Sequence, residues 1–338
     1  MVLFAALVAM RLLSPDDTST TLEGAPSIVR TKTSARFVRP LRDADHNGLV
    51  FDAPGARVRF KSDSHRIIFH LYYTAEHTRV DARNSLVVLR VNGAEHSTFK
   101  PDGARPAVIE KTVDFTGPRR ARTFELVLPY ADSVEWRGLS VEDKATVVAW
   151  PVEPRPRWVA CGDSITQGFS ATDTTKTYSW IVGEKKRWSV WNFGVGGRTA
   201  MAEDGAHIAE TPADIYTVLL GFNDFYRQDL PTDYAARVIS IARRIRDRNP
   251  RAEICLITPL WSSEPFPANP IHRLAAYRIA LREAGEHEST LRLRLIDGLT
   301  LIPPGPEFFT DGVHPNDQGF TAMADNLLAV LPEIVSGP

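Results

Sequence analysis

The chain has 338 residues, 43% of them hydrophobic and 24% charged, the balance of a soluble globular protein in a length that suits two domains or one large one. Forty Lys and Arg against 41 Asp and Glu leave a net charge of -1, which excludes a global field that would recruit nucleic acid or an acidic membrane surface. Of the two cysteines, Cys161 and Cys255, each lies in an apolar strand-like run, the setting of a buried reduced thiol rather than of a disulfide or a metal ligand.

Residues 2–10 are an apolar run followed by Arg11. The run is too short to span a bilayer, and it lacks both the preceding basic residue and the small-x-small site of a signal peptide. A short helix packed on the fold explains it equally well, and location stays open between secretion and the cytoplasm. From Ser14 to Ser34 the chain is rich in Thr, Ser, Asp and Pro without periodicity, so residues 1–34 are expected to be an extended or mobile lead-in.

Between 35 and 143 short β-rich runs alternate with turn residues, at 49–51, 56–60, 66–73, 85–91, 107–109, 122–128 and 134–141. Asn92-Gly93 is a hairpin signal. Many short strands without an amphipathic helix predict a β-sandwich of jelly-roll type over 35–150. Pro151, Pro154 and Pro156 then mark 151–157 as a stiff extended linker, because proline fixes φ and cannot donate to a ladder.

From 158 to 338 strands alternate with helices. Strands are expected at 158–161, 190–193, 215–220, 253–258 and 291–296, and helices at 233–249, 271–286 and 317–331, the first capped by Thr232 or Asp233 and stopped by Asn249-Pro250. This alternation implies a parallel sheet with helices on both faces, and an active site beyond the carboxyl ends of the strands. The fold class is thus α/β, preceded by a β-sandwich.

Four loops of this second part carry chemistry. Gly162-Asp163-Ser164 follows the first strand and lifts a hydroxyl off the sheet, but serine is a weak nucleophile until a base takes its proton. Asn192 to Thr199 is glycine-rich, so its N–H groups can approach a ligand closely. Gly221-Phe222-Asn223-Asp224 presents a side-chain amide. Asp311-Gly312-Val313-His314 precedes the last helix, with Pro315 holding His314 out of helical geometry. The imidazole can take the Ser164 proton while Asp311 holds its other nitrogen.

Gly162-Asp163-Ser164, Gly197, Gly221-x-Asn223-Asp224 and Asp311-x-x-His314, in this order, resemble the SGNH hydrolase superfamily, also called GDSL esterases, over roughly 157–330. The resemblance implies a three-layer α/β/α domain. It also implies a Ser164–His314–Asp311 triad and an oxyanion hole made by the N–H groups of Ser164 and Gly197 with the Asn223 amide. Gly196 is the alternative second donor. A β-sandwich ahead of such a domain resembles the bimodular carbohydrate esterases of family two, which implies removal of acetyl groups from polysaccharide. A short-chain or lipid esterase is the enzymatic alternative. A carbohydrate-binding protein acting through the sandwich is the alternative of another class. No aromatic row marks a sugar platform there, and Trp136 and Tyr72-Tyr73 read as core.

Weaker expectations complete the reading. Asp163 stabilises its own turn, and Asp224 orients the asparagine loop. Phe225, Tyr226 and Trp261 follow strand ends and are candidate walls for an acyl or sugar group. Arg198 reads as a solvated loop arginine, or else as a contact for an anionic substrate. His207, His272 and His287 are not clustered, so no metal is expected, nor any cofactor. The expected partner is a small-molecule or polysaccharide acyl ester, with no nucleic acid and no membrane span; the oligomeric state is open.

Overall fold

The computed structural model describes residues 9–40, 53–74, 85–263 and 270–334. The first part contains twelve strands among these residues: β1 (Met10–Leu13), β2 (Thr21–Glu23), β3 (Ser27–Arg30), β4 (Ala35–Val38), β5 (Arg57–Ser62), β6 (Arg66–Tyr73), β7 (Val87–Val91), β8 (Ala94–Phe99), β9 (Ala107–Asp114), β10 (Arg122–Val127), β11 (Val134–Glu142) and β12 (Val147–Ala149). They form two antiparallel sheets. One runs β3-β4-β11-β6-β9 with β1 beside β11, and the other β12-β5-β10-β7-β8 with β2 beside β5.

Strand β6 shows why these residues pair in this way. Ile67, Phe69, Leu71 and Tyr73 alternate with residues facing outward, and all four are fully buried. A period of two places every second side chain on one face of a strand. That face meets the second sheet, where Phe60 lies 6.2 Å from Phe69 between ring centroids, and the two sheets share one core with Trp136 and Phe124. Asn92 and Gly93 close the β7–β8 hairpin with φ of 52° and 81°, the left-handed pair that a two-residue hairpin turn requires.

The lead-in expected before residue 35 is instead part of this sandwich. Strand β1 pairs with β11, β2 with β5, and β3 with β4. These strands are three or four residues long, too short to show alternation, and only the pairing over long sequence separation reveals them. The runs expected at 2–10 and 49–51 fall largely or wholly outside the described residues.

Residues 150–156 form neither helix nor strand. Beyond them five parallel strands, β13 (Arg157–Gly162), β14 (Ser189–Gly194), β15 (Ile215–Leu219), β16 (Glu253–Ile257) and β17 (Leu293–Ile296), lie in the order β14-β13-β15-β16-β17. Side chains alternate between the two faces. Val159 and Cys161 join one core, under α3 (Asp204–Ala209), α5 (Pro231–Arg248) and α6 (Leu274–His287). Trp158 and Ala160 join the other, under α2 (Tyr178–Lys186) and α7 (Asp317–Val330). Two short helices, α1 (Ser164–Gln167) and α4 (Phe222–Tyr226), follow β13 and β15 directly. The chain reverses its direction across the sheet after β14, so the crevice of an open α/β sheet lies at the carboxyl ends of β13, β14 and β15.

Two helix readings differ in detail. Helix α5 starts at Pro231, not at a Thr232 or Asp233 cap; proline fits the first helical position because its missing N–H has no partner there anyway. Helix α2 was not expected, since its buried face is Tyr178, Ser179, Val182 and Gly183, a stripe with one aliphatic residue.

The sandwich is locked to the parallel-sheet unit. Tyr130 and Ala131, past the end of β10, sit in the core that α2 and α7 cover. The Tyr130 hydroxyl donates to Ala171 O at 2.6 Å, and Thr174 Oγ1 donates to Leu128 O at 2.9 Å. Arg57 and Arg90 of the sandwich reach Glu184 on α2 at 2.9 and 3.4 Å while also pairing with Glu125. Cys161 and Cys255 are buried and free, and burial pushes their thiols up to about 11 and about 12. Among the described residues no helix is long and apolar enough to cross a membrane.

Candidate active site

Strand β13 ends at Gly162 because the chain must pass under α1 with no room to spare. A Cβ at Gly162 would run into the Thr166 side chain of α1 and into Leu219 O of β15, and one at Gly194 into Gln167 N of α1. Asp163 caps α1 by accepting the Ile165 N–H at 2.9 Å, the turn-stabilising role expected of it. Its carboxylate is nearly inaccessible, and burial raises it to about 6 against the pull of that N–H and of His314. Ser164, the next residue, is half-buried.

The Oγ of Ser164 lies 2.8 Å from Nε2 of His314, and Nδ1 of His314 lies 2.7 Å from Oδ2 of Asp311. With Nδ1–H directed at the carboxylate, Nε2 is the acceptor for the serine hydroxyl. Asp311 also accepts the backbone N–H groups of His314 at 2.7 Å and Val313 at 3.0 Å. Partial burial works to raise Asp311, but these hydrogen bonds and the His314 side chain prevail and hold it at about 2.

The loop carrying this pair is pinned on both sides. Phe309 bridges Pro315, Thr310 N donates to His314 O at 2.9 Å, and Asn316 caps α7 through the Gly319 N–H. Asp317 accepts from both Thr172 N and Thr172 Oγ1, at 2.8 and 2.7 Å, which ties the start of α7 to the segment after α1. The Phe169 ring covers the imidazole, with centroids 4.6 Å apart. No spacing rule marks Phe169; it follows α1 by two residues and is found only by folding the chain.

Gly197 adopts φ +76°, a left-handed backbone that favours glycine, and it is half-buried beside Gly196. Asn223 lies at the start of α4 and donates its amide to Arg198 O at 3.0 Å, with Asp163 Oδ2 at 3.5 Å. Asp224 accepts the Ala200 N–H through both oxygens at 3.1 Å and pairs with Arg237. Burial raises its carboxyl against those two donors. The asparagine loop and the glycine loop are therefore joined twice.

Arg198 is neither a solvated arginine nor an anion contact. It is fully buried, pairs with an equally buried Asp204 at 2.7 Å, and donates to Phe193 O at 2.9 Å. Of the expected wall residues, Phe225 is 4% exposed and packs edge-on against Tyr277. Its place is the core, because α4 turns that side chain under the loop. Tyr226, the next residue, is 54% exposed. Trp261 is half-buried with its ring 5.2 Å from Phe309, the residue that bridges Pro315 beside His314. Among the described residues no group of three or more His, Cys, Asp and Glu side chains could hold a metal ion.

Residues 160–322 match the family model of the GDSL-like lipases and acylhydrolases. This stretch is a GDSL-like lipase/acylhydrolase domain. No curated protein matches the sequence. Solved structures similar to the chain include a salicylyl-acyltransferase from a tetracycline biosynthetic pathway, 21% identical over 96% of this chain and 99% of that one with a TM-score of 0.81. A family two carbohydrate esterase from Clostridium thermocellum in complex with cellohexaose is 13% identical, covering 90% and 97%, with a TM-score of 0.67. A family two carbohydrate esterase from Cellvibrio japonicus is 17% identical, covering 95% and 96%, also at 0.67. These likenesses concern the fold, and each spans both the sandwich and the acylhydrolase domain.

Proposed function

We propose that the protein is a serine esterase that removes acyl groups, acetyl foremost, from a carbohydrate through an acyl-enzyme intermediate. The observation that carries the reading is the line from Ser164 Oγ through His314 to Asp311, at 2.8 and 2.7 Å, within an acylhydrolase domain. Oγ attacks the ester carbonyl while Nε2 takes its proton. The negative charge that develops on the carbonyl oxygen is met by the N–H groups of Ser164 and Gly197, or Gly196 in its place, and by the Asn223 amide. The imidazolium, stabilised by Asp311, then protonates the leaving alcohol oxygen. Water, deprotonated by the same nitrogen, attacks the acyl-serine, and the carboxylic acid leaves as Oγ regains its proton, to ionise in solution.

The carbohydrate and acetyl parts of the reading draw on the family two esterases, which share the two-part architecture over 90–95% of this chain. Tyr226 and Trp261 are the wall residues left for a sugar or acyl group after Phe225 is assigned to the core. A second reading, transfer of the acyl group to an alcohol, draws on the likeness to the salicylyl-acyltransferase at a TM-score of 0.81; the acyl-serine is common to both.

The test compares 4-nitrophenyl acetate with the octanoate, and acetylated xylan with deacetylated, scoring acetate release by mass spectrometry. Ser164→Ala, folded and inactive, is the control, and a serine-reactive organophosphonate is expected to label Ser164 alone. Preference for octanoate would move the substrate class to lipids. Product esters of an added alcohol would favour transfer.

A further inference from the structure

The edge of the parallel sheet carries an observation that the acylhydrolase domain alone does not explain. Among the described residues strand β14 is an outer strand, with β13 on one side and no strand on the other. Carbonyls two residues apart on a strand point the same way. Asn192 O and Gly194 O are such a pair, and both are taken by one nitrogen of Arg39, at 3.0 and 2.9 Å. Arg39 belongs to the sandwich, just after β4, and is 5% exposed. Its two hydrogens finish the sheet edge at the last residue before the glycine loop.

The carbonyl between them, Phe193 O, accepts from Arg198 at 2.9 Å. Three successive carbonyls are thus held by two buried guanidinium groups, one reaching in from the sandwich and one returning from the far end of the loop. Asn192 adds the link to the nucleophile: its amide donates to Thr166 O at 2.6 Å, and its oxygen accepts the Gly194 N–H at 2.8 Å. The strand end that launches Gly196 and Gly197 is therefore referenced to α1 by Asn192 and to the sandwich by Arg39.

We propose that Arg39 is a positioning residue for the reaction: the sandwich, through this side chain, sets the place of the oxyanion N–H of Gly197 or Gly196 relative to Ser164. The proposal rests on the esterase reading above. An arginine that merely glued two domains together would leave the loop geometry to the loop itself. Here both bonds fall on the backbone of the loop's own root, whereas the inter-domain charges of Arg57 and Arg90 fall on a helix side chain, Glu184, of α2.

The experiment uses the full chain and 4-nitrophenyl acetate, with active sites counted by organophosphonate titration so that turnover is expressed per competent serine. Arg39→Met is expected to lower kcat per titrated site by about 10- to 100-fold, the scale of an ångström-sized misplacement. KM should change little, and the rate of phosphonylation should fall in parallel, since the phosphonyl oxygen occupies the same hole. Arg39→Lys should recover part of the loss. Arg39→Gln, which keeps a polar side chain but not the reach, substitutes for the Met variant if that chain does not fold. Glu184→Gln, which loosens the domain contact away from the loop, should keep full turnover per site. Wild-type kcat per site in Arg39→Met or Arg39→Gln would overturn the proposal, as would an equal loss in Glu184→Gln. Failure of the underlying reading shows separately, as wild-type protein that the phosphonate does not label or Ser164→Ala that remains active; that result removes the proposal with it.

Discussion

The side-chain amide of Asn223 donates to the backbone carbonyl of Arg198 at 3.0 Å, so this proposed oxyanion donor is tied to the residue after Gly197, on the loop that follows a different strand. The same amide nitrogen lies 3.5 Å from Asp163 Oδ2, a long contact with which a substrate oxygen would compete for the second hydrogen. Asn223→Ala removes both functions, and loss of one such donor is worth about 2.7–4 kcal/mol of barrier. A fall in kcat of roughly 100- to 1,000-fold with an unchanged circular dichroism spectrum is expected. Unchanged turnover would take Asn223 out of the site.

Asp311 sits at about 2, below the ordinary carboxylate range, so it is ionised at neutral pH. A folded-state value below the unfolded one near 3.9 means that Asp311 favours the fold above about pH 4, and that this contribution is lost as pH falls through about 2. Asp311→Asn should lower kcat by something on the order of 10⁴-fold, because the imidazole loses the partner that fixes its tautomer. Its melting temperature should fall below that of the wild type at pH 7 and converge with it toward pH 2. A gap that persists at pH 2 would mean that the carboxylate charge is not what stabilises the loop.

Asp163 has the opposite sign. Its folded-state value of about 6 exceeds the ordinary 3.8, so the folded protein binds the extra proton and gains from it below about pH 4. That advantage disappears as pH rises through about 6. Asp163→Asn retains an oxygen for the Ile165 N–H without the charge, and should stabilise the protein at pH 8 by about 2–3 kcal/mol. At pH 4 the gain should vanish, as urea unfolding at the two pH values would show. An equal gain at both would deny the buried charge its part.

Arg198 and Asp204 are both fully buried and paired at 2.7 Å. Arg198→Met leaves the Asp204 carboxylate without its cation and the Phe193 carbonyl without its donor. Breaking one side of such a pair costs about 3–5 kcal/mol. Arg198→Met with Asp204→Leu should recover a large part of that in stability, but less of the activity, since the loop root stays unheld. Full recovery of both would separate the pair from the site.

What could be read from the sequence follows the range of the forces involved. Strand β6 was legible because four buried side chains at period two carry their own signal, and the GDSL-like stretch because its residues recur in order at strand ends. The short strands β1 to β3 carry no such period; they exist because β11, β5 and β4 are there to pair with. Arg198 and Phe225 misled for a related reason. Arg198 follows a glycine in a loop, the usual mark of exposure, and its burial depends on how α3 brings Asp204 back onto it; Phe225 is covered by Tyr277 of α6, some fifty positions away. Arg39 has no local signal at all, since its meaning lies in two carbonyls more than 150 positions away.

Strand β1 has a consequence for how the protein is made. Its partner β11 ends at Glu142, and Arg11 donates to Ala145 O, 134 positions later in the chain. During synthesis this segment leaves the ribosome long before the strand it must join exists. Closing a contact of that separation is entropically slow. Until it closes, the Leu139–Glu142 end of β11, beyond its pairing with β4, presents an open strand edge to the other nascent chains around it. Yield on expression is therefore expected to respond to chaperone supply more than the finished protein's stability would suggest, and trimming residues 10–13 would expose that edge permanently.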